Sequence, residues 1–320
     1  MNEIDKIIWL ILKKKEKDIS IKKIKKLIKE RKDDEEIENR FNEILNNINT
    51  LNKLKKIPFI KQRTPEWHEL RKDKLTASVL EEAVNNNITL IKKKAGLIID
   101  NTNYNNIPAL KWGTMYEPMA LKCYSIINND IEINEFGLIA DEEDKKLAAS
   151  PDGINSLGIM IEIKCPYSRK IIDGVIPSKY NLQMQGQLKV CKLTECHYVE
   201  CEFIEYENIE KYKEDNDKEL NGIIAEYKRN NGEYYYIYSE ILNDKNDVIK
   251  DILEKVKNNE EENTIFMKYN YWKLNLINIQ NVKFDKKKWN EYIEPRIEEF
   301  WKKVEEYKKM PKKNLFIDDD

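Results

Sequence analysis

The sequence predicts an α/β fold: a central mixed sheet flanked by helices, preceded by an α-helical N-terminal extension. Two patterns predict it. Between residues 66 and 204 the apolar periodicity runs helix, three strands, helix, strand, an order that layers helices on a sheet. Ahead of that, residues 1–57 keep apolar side chains at helical spacing only. Composition permits such a fold, because 41% of the 320 residues are apolar, which rules out wholesale disorder.

The extension reads as three short helical segments. The first carries Ile4, Ile7, Ile8 and Ile11, and the second follows Ser20 with Ile21, Ile24, Leu27 and Ile28. The third carries Ile37, Phe41, Ile44 and Leu45. Residues 13–32 hold eleven Lys/Arg against three Asp/Glu. Such a stripe is either a solvated helical face or a module that touches DNA or a protein partner. Pro58 and Pro65 bracket a linker. Beyond it the pattern predicts a helix over 66–84, an Asn-rich stretch over 85–110 with a helical piece near 90–98, and a helix over 115–128. Strands are expected at 131–141, 146–150 and 158–165, then a helix over 178–191 and a strand over 195–204. A helix (207–229), a Tyr-rich strand (234–239), a helix (246–258), an extended stretch (264–281) and an amphipathic helix (286–309) follow. The acidic end, 311–320, is expected to be mobile.

Several classes of function are excluded early. No apolar run approaches the roughly 18–20 residues of a membrane span. Ile7–Leu12 is broken by Lys13–Lys15 with no small-residue cleavage site after it, so neither a signal peptide nor an anchor is read, and a soluble intracellular protein is expected. Five Cys in a chain this long make no disulfide framework. Cys191, Cys196 and His197 hint at zinc, but on a strand Cys196 and Cys201 face opposite sides, so free thiols are the better reading. Two His exclude most imidazole chemistry, which leaves carboxylates, Lys, Ser, Cys or a metal. Only seven basic residues are Arg, so each is worth tracing to a phosphate. The abundance of Lys, Asn and Ile fits AT-rich coding DNA and says nothing about function.

The informative segment is 150–165, S-P-D-G-I-N-S-L-G-I-M-I-E-I-K-C. In a strand, Ile159, Ile161, Ile163 and Cys165 form one row, with Met160, Glu162 and Lys164 on the other face. Pro151-Asp152-Gly153 taken alone is a turn signal, and Glu162/Lys164 taken alone is an ordinary surface pair. Together they say more. A hairpin would bring Asp152 and Glu162 within reach of one cation, and hard oxygen ligands suit Mg²⁺ or Mn²⁺. Lys164, on the same face, would orient a water or help to deprotonate it. Metal-assisted hydrolysis of a phosphodiester needs no His.

This is the Asp…Glu-x-Lys pattern of the PD-(D/E)XK nucleases. From Arg63 to Phe203 the chain resembles the YqaJ-type viral recombinase family, the group of phage lambda exonuclease. The resemblance rests on Trp67-His68-Glu69-Leu70-Arg71, Leu75-Thr76-Ala77-Ser78, Trp112-Gly113 with Tyr116-Glu117, Ser150-Pro151-Asp152-Gly153, Glu162-Ile163-Lys164-Cys165-Pro166, Tyr180 and Gln183-Met184-Gln185. It implies a restriction-endonuclease-like core, with a nuclease domain over 58–310. It also implies roles. Asp152, Glu162, the Ile163 carbonyl and Glu117 would hold the metal, with Lys164 as catalytic lysine and Gln183 beside the centre. Arg71 and Ser78 would bind phosphate at a 5′ end. A homotrimeric ring and a single-strand annealing partner are implied in the same way.

Each residue has a plainer reading. Thr114 and Glu117 form a capping box if a helix starts there, with Pro118 in its first turn. Gln183, Gln185 and Gln187 would serve equally as a polar helix face. Arg71 has Glu66 and Glu69 nearby as partners, Ser78 is an ordinary polar residue, and Trp67 and Trp112 suit packing. Asp73 departs from the family, whose members often carry Gly there, and puts an anion near the phosphate pocket. The net charge of −2 does not oppose DNA binding, since acidic ligands at a cleft's centre and bases on its rim (Lys170, Lys179, Lys189 and Lys192 as candidates) cancel in the sum. The expected function is a Mg²⁺-dependent deoxyribonuclease that degrades duplex DNA from 5′ ends. A structure-specific endonuclease and a catalytically dead DNA-binding scaffold stay open as alternatives.

Overall fold

A computed structural model of the chain describes residues 1–14, 20–27, 33–61, 64–98 and 107–310. The acidic end at 311–320, the middle and end of the basic stripe (15–19 and 28–32) and Arg63 lie outside the described residues. The N-terminal part holds helices α1 (Glu3–Lys13), α2 (Ile21–Leu27) and α3 (Asp34–Leu54). Next come α4 (Pro65–Arg71), β1 (Leu75–Thr76), α5 (Leu80–Val84), α6 (Ile88–Lys94) and α7 (Pro108–Ile127). Five short strands follow: β2 (Ile133–Asn134), β3 (Ile139–Ala140), β4 (Leu147–Ala149), β5 (Gly153–Asn155) and β6 (Met160–Lys164). The remainder is α8 (Ser178–Cys191), β7 (Glu195–Tyr206), α9 (Ile209–Glu214), β8 (Asn221–Arg229), β9 (Tyr234–Tyr238), α10 (Lys245–Lys257) and β10 (Thr264–Lys283). After β10 come α11 (Lys286–Lys288), a π-helical turn at Trp289–Ile293, and α12 (Glu294–Lys308).

The fold is the expected mixed sheet flanked by helices. Seven strands run in the order β2-β5-β6-β7-β10-β8-β9, parallel only between β6 and β7; a second sheet, β1-β4-β3, has three strands. Two apolar layers cover the main sheet. On one side, Ile159, Ile161 and Ile163 meet α7 and the N-terminal helices through Ile4, Ile8, Phe41 and Ile44. On the other, Met160 and Tyr198 meet α8, α5 and α12.

Where structure and pattern part, tertiary pairing explains it. The helix expected over 66–84 stops at Arg71, because Leu75 and Thr76 pair in parallel with Leu147 and Ala148. The helix expected over 115–128 begins at Pro108, whose missing N–H suits a first turn. The strand expected at 131–141 is two strands in different sheets, and Gly153, the last residue of the turn signal, begins a strand, Gly153–Asn155. The helix expected over 207–229 is confined to Ile209–Glu214. From Asn221 the alternation of Ile223, Ala225 and Tyr227 is a strand's, and the segment pairs with β10 and β9. The helix over 178–191 stands as read.

Candidate active site

The β5–β6 hairpin sets the site. Gly153 faces Ile161 and Ile154 faces Met160, so one step further along Asp152 lies across from Glu162. The Ile163 amide donates to Asp152 Oδ2 at 2.7 Å and fixes the carboxylate against β6. Glu162 is wholly buried, an unusual state for a carboxylate without partners. Its partners are Lys164 Nζ, which donates to Oε1, Gln183 Nε2 to Oε1 at 2.7 Å, and Gln187 Nε2 to Oε2 at 2.7 Å. Gln183 and Gln187 are one helical turn apart, so α8 lays both on one face over the strand. Gln185 points elsewhere and bonds Lys283 and Asp285 at the end of β10. The Lys164 ammonium also lies 4.9 Å from the centroid of the Tyr180 ring.

Charges crowd here. Burial, then the negative charges of Glu162 and Glu117, push the Asp152 carboxyl well above its ordinary range. Burial alone would lower Lys164, but Glu162 and Asp152 outweigh it and hold the ammonium above its ordinary value. Lys164 is therefore a cation that can donate and orient. Glu117 sits in the middle of α7, well inside a helix that starts at Pro108, so the capping-box reading of Thr114 and Glu117 fails and Pro118 is inside the helix.

Beside this cluster is an anion-suited pocket. Arg71 donates to Thr76 Oγ1 at 3.1 Å and Ser78 Oγ at 3.3 Å, and its guanidinium lies over the Trp67 ring at 3.9 Å. Trp67 is buried against Ile60, Leu138 and Ala148 and donates to Ser150 Oγ at 3.2 Å, so it packs and braces at once. Among the described residues no carboxylate pairs with Arg71; Glu69 is taken by Lys72. Burial pulls the guanidinium down to about 10. A cleft of about 190 Å³ joins Arg71, Ser78, Glu117, Asp152, Gln183 and Gln187. A larger groove of about 590 Å³ shares Glu117 and Asp152 with it, so those two carboxylates stand where the cavities meet. Of the rim lysines, Lys189 and Lys192 pair with Glu143 and Glu142, whereas Lys179 lies against Tyr180, beside Lys164.

The donor chemistry fits a hard divalent cation: carboxylate oxygens that repel one another across a cleft, with one lysine in compensation. Among the described residues, however, no group of three or more His, Cys, Asp or Glu side chains is placed to enclose a metal on its own. An open site completed by water and a phosphate oxygen is the usual form for Mg²⁺. Gln187, Thr76 and Ser150 carry no role in the sequence reading, although Thr76 and Ser150 stand inside motifs quoted there and Gln187 lies four residues from Gln183.

The comparisons with known proteins bear on this segment. The profile of the YqaJ-like viral recombinase domain matches residues 66–197, which contain every side chain lining the cleft of Arg71 and Asp152. Over this segment the chain is similar to that family. An uncharacterized protein of Acanthamoeba polyphaga mimivirus is 27% identical over 296 residues, covering 77% of this chain and 52% of its own length, so the chain spans about half of that relative. Among solved structures, LHK-Exo in complex with dAMP is 20% identical with a TM-score of 0.44, over 76% of this chain and 93% of that one. The alkaline exonuclease LHK-Exo from Laribacter hongkongensis gives 24% and 0.37, over 61% and 89%. A phage-related exonuclease from Haemophilus somnus gives 13% and 0.36, over 73% and 93%. No helix among the described residues is long and apolar enough to cross a membrane.

Proposed function

We propose that this chain is a Mg²⁺-dependent deoxyribonuclease that hydrolyses DNA phosphodiesters, working inward from 5′ ends of duplex DNA. The observation that carries the reading is Asp152 facing Glu162 across a hairpin, with Lys164 bonded to Glu162 and with Asp152 and Glu117 lining one cleft together with Arg71. Asp152, Glu162, the Ile163 carbonyl and Glu117 would hold the cation. Bound there, Mg²⁺ (or Mn²⁺) supplies Lewis acidity toward a phosphoryl oxygen and an acidified water.

The chain's own residues do the rest. Gln183 and Gln187 hold the Glu162 carboxylate in one orientation, and Lys164, an ammonium against the same carboxylate, donates to an attacking water or a phosphate oxygen. Arg71 and Ser78 receive a terminal phosphate, with Thr76 orienting the guanidinium. A ring-shaped homotrimer and transfer of the 3′ strand to a single-strand annealing protein belong to the same reading.

The test is a time course on end-labelled linear duplex DNA, with and without a 5′ phosphate, in Mg²⁺ and in EDTA, beside closed circular DNA. Release of nucleotides from linear ends in Mg²⁺ alone, faster with the phosphate, is the expected result. Rapid cutting of closed circles would replace the exonuclease by an endonuclease, and no cutting of any substrate would leave a DNA-binding scaffold.

A further inference from the structure

Lys94 ends α6, in a run of three lysines that reads as solvated surface. The fold turns it inward instead. Its ammonium donates to the carbonyls of Arg71 at 2.9 Å, Lys72 at 3.2 Å and Lys74 at 2.6 Å. An ammonium has three protons, and here each has an oxygen. The three carbonyls belong to the end of α4 and the turn after it, where carbonyls lack intrahelical partners; that of Arg71 also accepts from the Lys74 amide at 3.1 Å. The same turn launches Arg71 toward Thr76 and Ser78. Two half-buried cations thus lie together, and no carboxylate is within ion-pairing distance of either among the described residues. Like charges packed this way repel unless an anion joins them.

We propose that Lys94 is a positioning residue of the Arg71 pocket: by clamping the Arg71–Lys74 turn it holds the guanidinium toward Ser78, and its own charge helps the pocket take the terminal phosphate dianion of a DNA strand. This rests on the nuclease reading above and adds to it a residue far from the carboxylates. Asp73, which stands where family members often carry Gly, takes its place in the same account, because its charge favours the Lys94 ammonium. Burial first, then Arg71, pull Lys94 down to about 8. From α5 and α12, the other elements packed on α6, no charged side chain acts on it. Lys94 therefore loses its proton at a pH where a phosphate monoester is already fully ionised.

The experiment measures binding of the full chain, in EDTA, to a short duplex bearing a 5′ phosphate and to the same duplex with a 5′ hydroxyl, at pH 7 and pH 9.5. A charge-assisted contact predicts about a tenfold preference for the phosphate at pH 7, falling toward unity at pH 9.5. Lys94→Met loses the preference at both pH values, and Lys94→Arg keeps it at both, a pH effect that a merely structural role would not produce. Lys94→Met with the full preference at pH 7, or Lys94→Arg with the wild-type fall at pH 9.5, overturns the proposal. Wild-type protein with no phosphate preference at either pH overturns it too, while leaving Mg²⁺-dependent cutting to be judged by the digestion assay. Equal digestion in EDTA overturns the Mg²⁺ dependence, and no digestion in Mg²⁺ overturns the nuclease reading; either leaves the binding result standing.

Discussion

Removing the Lys164 side chain takes from the buried Glu162 carboxylate its cationic partner but leaves the Gln183 and Gln187 donors in place. Stripping one partner from a buried ion pair is costly, and the two amides offset part of that. Lys164→Ala is therefore expected to lower unfolding free energy by about 1–3 kcal/mol, measured by urea titration, while the chain still folds. Its digestion rate should fall at least about 10²-fold. A variant that digests at the wild-type rate removes Lys164 from the mechanism. At this scale the sequence carried a great deal, because period two in residues 159–165 assigns each side chain its face from spacing alone. It did not carry Lys94, since nothing in Lys92-Lys93-Lys94 distinguishes a lysine that turns inward.

At the scale of elements, close approach ties the two halves of the cleft. Gly186 on α8 has no Cβ, and one placed there would stand 2.9 Å from Leu80 Cδ2 and 3.1 Å from Ala77 Cβ. That contact sets the Ala77–Ser78 segment beside Gln183 and Gln187. Gly186→Val should cost about 1–3 kcal/mol by overpacking and reduce digestion by spreading Arg71 from the carboxylates; thermal melting and activity together check it. Gly158, with φ of +74° and the Asn47 backbone 2.4 Å from where its Cβ would be, presses the hairpin turn onto α3. Helix α8 was legible from its own residues, since it carries its periodicity to Cys191. Of the pieces that were not legible, β1 is held by β4 and β8 by β10 as well as β9, and local pattern carries no trace of partners so distant in sequence; β5, three residues long, is too short to show a period.

For the whole molecule, the N-terminal helices are bound to the sheet by a buried ionic knot. Arg40 reaches Asp5 on α1 at 2.7 Å, Glu43 on its own helix at 2.6 Å and Glu195 on β7 at 2.6 Å. Arg40→Met strands Asp5 without its cation and leaves Glu195 with Lys283 alone, so a loss of about 3–5 kcal/mol is expected; a loss under about 1 kcal/mol by chemical denaturation would contradict it. Acid should act through His197, buried on β7 with Nδ1 2.6 Å from the Tyr124 hydroxyl. Burial, then the cationic N-terminus, Arg40 and Lys283, lower its pKa from 6.5 to about 3. The unfolded chain binds this proton below 6.5 and the folded chain does not, so stability is full above that pH and falls as pH drops toward 3. The share of His197 in the change from pH 7 to pH 5 should be a loss of about 2 kcal/mol, read as the difference between wild type and His197→Gln, because the raised Asp152 carboxyl acts in the opposite direction. Apolar spacing foretold the N-terminal helices themselves; the knot, joining residues over a hundred positions apart, lay beyond any local signal. The most direct test of the whole account is digestion of linear duplex DNA by wild-type chain and Asp152→Asn, in Mg²⁺ and in EDTA. The account predicts cutting by the wild type in Mg²⁺ only and a loss of at least about 10²-fold in the variant. Digestion that survives EDTA, or an Asp152→Asn chain as fast as the wild type, would contradict it.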